Sequence, residues 1–322
     1  MRLLLLAAAT LLLAPLVILA LAIGLGGPRK PPAMRSISAP FRQVDFSSLP
    51  APRHFVARDG VPLAYRHYAP AASANGRSVV LVHGSSASGT SMHPMALAFA
   101  RAGYAAYTLD LRGHGDSGTR GRIGYVGQLE DDLQDFVGAV HPAGSTTLVG
   151  FSSGGGFALR VAGGANGALF DDYLLISPFL HQDAPTQRPD SGGWARVGLP
   201  RYIAVAFLDH LGITAFDDLP VVRFAIDDAD TALLASDYSY PLAENFRPHR
   251  DYLGDIAAVK RPLAVLVGSR DEVFHADRFA ALFQAQDPAA RVAVVDGVDH
   301  IGMTLQPQAI ARAVEAVDGL HR

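Results

Sequence analysis

Cysteine is absent from this 322-residue chain. That excludes disulfide bonds, thiolate catalysis, iron–sulfur clusters and cysteine–zinc sites. It does not reveal a redox compartment, since a cysteine-free chain suits either. Charge is also sparse. Asp, Glu, Lys and Arg make up 18 % of the residues, the formal net charge is −3, and no basic run exceeds two residues. A nucleic-acid surface needs clustered Lys and Arg, so that class of partner is excluded. There is no G-x-G-x-x-G after a first strand, no G-x-x-x-x-G-K-[ST] and no H-E-x-x-H. Neither a cofactor nor a metal is therefore expected.

Apolar residues are plentiful, at 49 %. The length suits one large α/β domain or two ordinary ones. Leu3 through Leu25 holds no charged residue. As a helix it would span about 35 Å, enough to cross the hydrocarbon core. The stretch predicts a single-pass membrane anchor, and Pro15 is tolerable there. A cleaved signal peptide is the competing reading, with Ala20-Leu21-Ala22 as its cleavage site. Its apolar core would be longer than the usual one. Arg2 lies on one side, and Arg29, Lys30 and Arg35 on the other, so the positive-inside rule leaves the orientation open.

From Pro28 to about Pro52 the chain is rich in Pro, Ser and Ala, which reads as a linker. Asp59-Gly60 then separates His54–Arg58 from Val61–Tyr68, a hairpin pattern. Beyond it, strands are predicted at Ser78–Val82, Ala105–Leu109, Thr146–Phe151, Asp172–Ser177, Pro262–Gly268 and Arg291–Val295. Helices are predicted at Met92–Ala102, Gly124–Val140, Ser153–Ala165, Ala276–Ala285 and Pro307–Gly319. Continuous apolar runs such as Val79-Val80-Leu81-Val82 fit parallel strands covered on both faces. The alternation predicts an open, mostly parallel sheet with helices on both sides. Phe179 to about Asp255 breaks it. That segment is too long for a loop and predicts an inserted cap.

Ser152 stands in Gly150-Phe151-Ser152-Ser153-Gly154, between a predicted strand and a predicted helix. A serine is a poor nucleophile unless a sharp turn thrusts it toward a base. The pentapeptide alone is weak, because an ordinary Gly-rich turn would read the same. What strengthens it is order. Asp271 follows the strand ending at Gly268, and His300 follows the strand ending at Val295. Both therefore fall on the carboxyl rim that Ser152 occupies. A hydroxyl needs a base, and the base needs an orienting carboxylate. Asp277 and Asp299 are rival acids. Asp299 neighbours His300 in sequence, and adjacent side chains usually point apart. His83 and His114, in Gly-rich loops, are weaker candidates for the base. An oxyanion hole needs two amides. Ser153, at a helix start, and Ser85, in the loop His83–Gly89, are the candidate donors.

His83-Gly84, the stretch Asp110-Leu111-Arg112-Gly113-His114-Gly115-Asp116-Ser117, the Ser152 turn, Asp271 and His300 together resemble the α/β-hydrolase superfamily. The nearest group is the serine aminopeptidase-like and monoacylglycerol lipase-like (lysophospholipase-type) hydrolases. The resemblance spans about residues 54–320. It implies a fold with a mostly parallel eight-stranded sheet, helices on both faces and an inserted helical cap. It also implies a Ser152–Asp271–His300 triad. Many relatives carry His before the nucleophile, where this chain has Phe151.

The expected organisation is an anchor over 1–27, a linker over 28–53 and a hydrolase domain over 54–322 with its cap at 179–255. The expected activity is hydrolysis of a small-molecule carboxylic ester with an apolar acyl part, through an acyl-enzyme. The expected location is the membrane. Two alternatives stand beside it. One is an aminopeptidase, whose amine pocket Asp217, Asp218, Asp227, Asp228 and Glu244 would supply. The other is a non-catalytic binding module.

Overall fold

The computed structural model describes residues 2–71, 73–189, 193–227 and 234–321, with the side chains of residues 2–12 and of Arg35 and Ser38 left out. Asp228, offered above for an amine pocket, lies outside the described residues. After helix α1 (Arg2–Leu25) and a short α2 (Arg35–Ser38), the chain forms an antiparallel hairpin of β1 (Arg53–Val56) and β2 (Pro62–Tyr68). Strands and helices then alternate as β3 (Ser78–Val82), α3 (His93–Arg101), β4 (Ala105–Leu109), α4 (Gln128–Val140), β5 (Thr146–Phe151), α5 (Ser153–Gly163) and β6 (Asp172–Ile176). The cap carries β7 (Ala195–Val197), α6 (Leu199–His210), β8 (Pro220–Phe224), β9 (Asp237–Ser239) and α7 (Tyr240–Asn245). The chain finishes with α8 (Tyr252–Ala258), β10 (Leu263–Gly268), α9 (Phe279–Gln286), β11 (Arg291–Val295), α10 (Gly302–Leu305) and α11 (Pro307–Leu320).

The main sheet has eight strands in the order β1-β2-β4-β3-β5-β6-β10-β11. Only β2 runs antiparallel to its neighbours; from β4 onward every pairing is parallel. Side-chain alternation along each strand builds two cores. Val80, Val82, Leu148 and Val265 face Leu133 and Phe136 of α4 and Phe157 of α5. Val79, Leu81, Val149 and Leu266 face Phe99 of α3 and Ala313 and Val317 of α11. Strand residues with no polar face need both layers, which is why the apolar runs demand helices on each side. Fully burying each large side chain contributes about 1.5–3 kcal/mol.

Two expectations need correction. The cap is not purely helical, because β7, β8 and β9 form a three-stranded antiparallel sheet. Val221, Phe224 and Tyr238 are buried there, and β-branched and aromatic side chains suit a pleated, half-buried surface. Strands of three to five residues are too short for a periodicity to show in sequence.

The second correction concerns the N-terminus. Among the described residues no helix is long and apolar enough to cross a membrane. The transmembrane helix and the membrane location read from Leu3–Leu25 are therefore not upheld. The end of α1 is instead tied to the cap. Arg201 donates from Nε to the Ile23 carbonyl at 2.8 Å and from Nη2 to the Gly24 carbonyl at 3.2 Å.

The stretch 28–53 lies against the body. The Met34 N–H donates to the Ala225 carbonyl in the cap at 2.7 Å, and Ile37 and Phe41 pack on the cores.

Candidate active site

Ser152 closes β5 and opens α5 with φ 55° and ψ −118°. A non-glycine residue in the left-handed region costs about 1–3 kcal/mol and persists only where its surroundings enforce it. Here the Ser152 N–H donates to the Ile176 carbonyl at 2.9 Å, and its own carbonyl accepts from the N–H groups of Gly156 and Phe179. The flanking glycines are sterically required. A Cβ on Gly150 would stand 2.1 Å from the Gly154 carbonyl oxygen, and one on Gly154 would stand 2.3 Å from that of His83.

Three sequence-predicted residues meet at this turn. His300 Nε2 lies 3.1 Å from Ser152 Oγ, and His300 Nδ1 lies 2.8 Å from Asp271 Oδ2. With Nδ1–H donating to the carboxylate, Nε2 is left to accept the hydroxyl proton. The other Asp271 oxygen, Oδ1, accepts the N–H groups of Val273 and Phe274, both at 2.9 Å. Burial alone would push the Asp271 carboxyl up. The His300 imidazole and the Phe274 N–H outweigh it and hold the carboxyl below the usual carboxylate range. The His300 ring is flanked by Phe151 and Phe274, with centroids 4.9 and 5.3 Å away. Asp299 is occupied elsewhere, accepting from the Gly302 N–H at 2.7 Å. Ser152 retains 8 % exposure, so its hydroxyl sits under a roof rather than on an open rim.

The loop after β3 passes over the serine. A Cβ on Gly84 would lie 3.3 Å from the Ser152 Cβ. Among the described residues the N–H groups of Ser85 and Ser153 donate to no protein group, whereas the Ser86 N–H donates to the Tyr238 hydroxyl at 2.5 Å. Among the described residues three cap residues hold this loop. Besides Tyr238, the Ala235 carbonyl accepts from Ser86 Oγ at 2.7 Å, and Trp194 Nε1–H donates to Ser85 Oγ at 2.8 Å. Tyr238 in turn donates to His114 Nε2 at 2.6 Å, and His114 Nδ1–H donates to the Arg112 carbonyl at 3.2 Å. Complete burial keeps His114 neutral, and His83, 4.7 Å away ring to ring, pushes the same way.

The D-x-R-G-H-G-x-S stretch is the scaffold beneath that loop. Asp110 accepts the N–H of Gly89 at 2.8 Å and that of Asp116 at 3.0 Å. Arg112 is clamped by Asp132 at 2.7 Å and Asp59 at 2.9 Å. Ser117 Oγ accepts the Ala64 N–H at 2.8 Å. Gly115, at φ 51°, brings its backbone so close to Asp110 that a Cβ would fall 2.3 Å from Oδ2.

Ser152 and His300 open into a cavity of about 580 Å³. Its apolar walls come from Phe151 and Ile301 of the body, Trp194 and Leu234 of the cap, and Ile37, Phe41, Phe46 and Leu49 of the N-terminal stretch. Sequence reasoning missed Trp194, Tyr238 and the N-terminal wall. Nothing in their local pattern marks them, apart from the spread of aromatics across the cap. Among the described residues no His, Asp and Glu side chains cluster in a way that could hold a metal ion.

A family model described as "Serine aminopeptidase, S33" matches residues 73–303, more than half of the chain. The chain belongs to this family of α/β hydrolases. Solved structures agree on the fold. A thermophilic esterase from Thermogutta terrifontis is 18 % identical over 84 % of this chain and 100 % of its own, with a TM-score of 0.58. The monoacylglycerol lipase of Paleococcus ferrophilus is 19 % identical over 80 % of this chain and 98 % of its own, at 0.57. A membrane phospholipase A is 18 % identical over 100 % of this chain and 97 % of its own, at 0.55. This hydrolase therefore shares its architecture with esterases and lipases at identities that speak for the fold alone.

Proposed function

We propose that the chain hydrolyses carboxylic esters with an apolar acyl part, using Ser152 as nucleophile, His300 as general base and acid, and Asp271 to orient His300. Ser152 Oγ adds to the ester carbonyl while its proton passes to His300 Nε2. The amides of Ser85 and Ser153 receive the developing oxyanion. Collapse of the adduct breaks the ester bond, His300 returns the proton to the departing alcohol, and water then releases the acid from the acyl-serine by the same route. The observation that carries this reading is the continuous relay of 2.8 and 3.1 Å on either side of one imidazole. The apolar walls around Ser152 support an acyl chain.

The aminopeptidase alternative draws no support from the cap acids. Asp217, Asp218, Asp227 and Glu244 do not line the cavity, and Glu244 is paired with Arg247 at 2.6 Å. A binding module without chemistry would have no use for a strained serine backed by a base.

The test is labelling by a fluorophosphonate probe, paired with turnover of para-nitrophenyl esters of increasing chain length and of aminoacyl anilides. Wild type is expected to label and to turn over the esters, and Ser152→Ala to do neither. An unlabelled wild-type serine, or a preference for the anilides, overturns the proposal.

A further inference from the structure

Strand β6 ends one residue before Ser177, whose backbone has φ 41°. Few residues with a side chain occupy that left-handed region. A residue that precedes proline, as Ser177 precedes Pro178, is biased toward extended backbone instead. Such a conformation persists only where its surroundings enforce it, and it gathers at functional sites. Here the surroundings are the candidate active site itself. The Ser177 N–H donates to the Leu266 carbonyl of β10 at 2.7 Å. The carbonyl of Ile176, just before it, accepts the Ser152 N–H, and the N–H of Phe179, just beyond Pro178, donates to the Ser152 carbonyl. Ser177 is thus fixed between the turn that presents Ser152 and the strand that leads to Asp271.

The Ser177 side chain is fully buried, and its Oγ has no partner within hydrogen-bond geometry among the described residues. An unpaired buried hydroxyl is costly, and glycine would suit this backbone better. The hydroxyl nevertheless faces Asp271. Burial pushes the Asp271 carboxyl up, and the His300 imidazole, the Phe274 N–H and the Ser177 hydroxyl together hold it below the usual carboxylate range. Asp271 Oδ1 already accepts two N–H groups, whereas among the described residues Oδ2 accepts from His300 Nδ1 alone. Room for one more donor therefore remains on the oxygen that meets the imidazole. Catalytic hydrogen bonds are often long at rest and tighten as charge develops.

We infer that Ser177 is a positioning residue for the proton relay: as His300 becomes imidazolium, the Ser177 hydroxyl closes on the Asp271 carboxylate and keeps it aimed at Nδ1. This rests on the esterase reading above and adds a fourth side chain to its machinery, one that acts through Asp271 and never meets the ester.

Ser177→Ala and Ser177→Gly test this in the full chain, read by turnover of para-nitrophenyl hexanoate and by the rate of fluorophosphonate labelling. Alanine removes the hydroxyl and keeps the backbone strain, whereas glycine removes both. Each variant is expected to lose about tenfold in kcat, the yield of one hydrogen bond to a charged group, with KM changed by less than about twofold. Labelling should slow in proportion. In an Asp271→Asn background, where no carboxylate is left to hold, Ser177→Ala is expected to cost less than about threefold. Should one variant not fold, the other decides. Wild-type kcat in a folded variant, a loss confined to KM, a loss in the alanine variant that glycine does not share, or a full tenfold loss beside Asp271→Asn overturns the inference, and the esterase reading stands as long as wild type labels and turns over the ester. If neither variant folds, the hydroxyl serves the fold and the inference fails. A wild type that neither labels nor turns over the ester sinks both.

Discussion

The indole N–H of Trp194 donates to the hydroxyl of Ser85 at 2.8 Å, so a residue of the inserted cap grips the loop whose amide is proposed to meet the reacting carbonyl. The Tyr238 hydroxyl, also from the cap, receives the next amide along, that of Ser86. The cap thus braces this loop as well as roofing the cavity. Preorganised donors are valuable because they need no rearrangement as charge develops.

Tyr238→Phe removes the brace at Ser86 and leaves His114 Nε2 without its donor. Losing an oxyanion donor outright costs about 10²–10³ in kcat, and loosening one through its neighbour is expected to cost about tenfold. Steady-state kinetics with a short-chain ester should show the loss in kcat with KM little changed. A KM effect alone would place Tyr238 in substrate binding instead.

Asp271→Asn should lower kcat by about 10²–10⁴, since the imidazole loses both its tautomer control and its counter-charge. The same variant carries a pH signature. The Asp271 pKa is lowered in the folded state, so its ionised form stabilises the fold above the unfolded value of 3.8, and that stability drains away as pH falls through the folded pKa. Unfolding midpoints measured below pH 4 should therefore drop less steeply for Asp271→Asn than for wild type.

Arg112 is expected to matter for stability rather than for rate per folded molecule. Its side chain and that of Asp132 are 7 % and 5 % exposed, so Arg112→Met leaves a buried carboxylate without its partner. Breaking such a pair costs about 3–5 kcal/mol. Urea denaturation should report it as a lowered midpoint.

His114 gives a second pH dependence, in the near-neutral range. Burial pushes its pKa well below 6.5, so the unfolded chain takes up a proton below that pH that the folded protein refuses. Stability is then full above pH 6.5 and falls on acidification, by about 1.4 kcal/mol per pH unit for this one proton. Urea unfolding at pH 7, 6 and 5 should show the decline, and a flat profile would contradict a neutral buried imidazole.

Much of the hydrolase frame was legible in the sequence. Ser78–Val82, Ala105–Leu109 and Thr146–Phe151 run as read, because strands buried on both faces are written as unbroken apolar runs. Ser152, Asp271 and His300 could be picked out as a candidate set because each sits just past such a strand, and parallel strands all end on one rim. The cap strands were not legible, nor were Trp194 and Tyr238, because their partners Ser85, Ser86 and His114 lie more than a hundred residues away in the chain. The membrane anchor read from Leu3–Leu25 was not upheld, because among the described residues no helix is long and apolar enough to cross a membrane. The attachment of Ile23 and Gly24 to Arg201 is a long-range contact that the local apolar pattern does not carry.

The stretch between Ile37 and Leu49 walls the cavity yet precedes residue 73, where the family match begins. Part of the cavity wall therefore lies outside the stretch that marks this protein as a member of its family. A truncation beginning at His54 would keep Ser152, Asp271 and His300 and lose one side of the chamber, and it would be a poor reagent for asking what the full chain prefers to cleave.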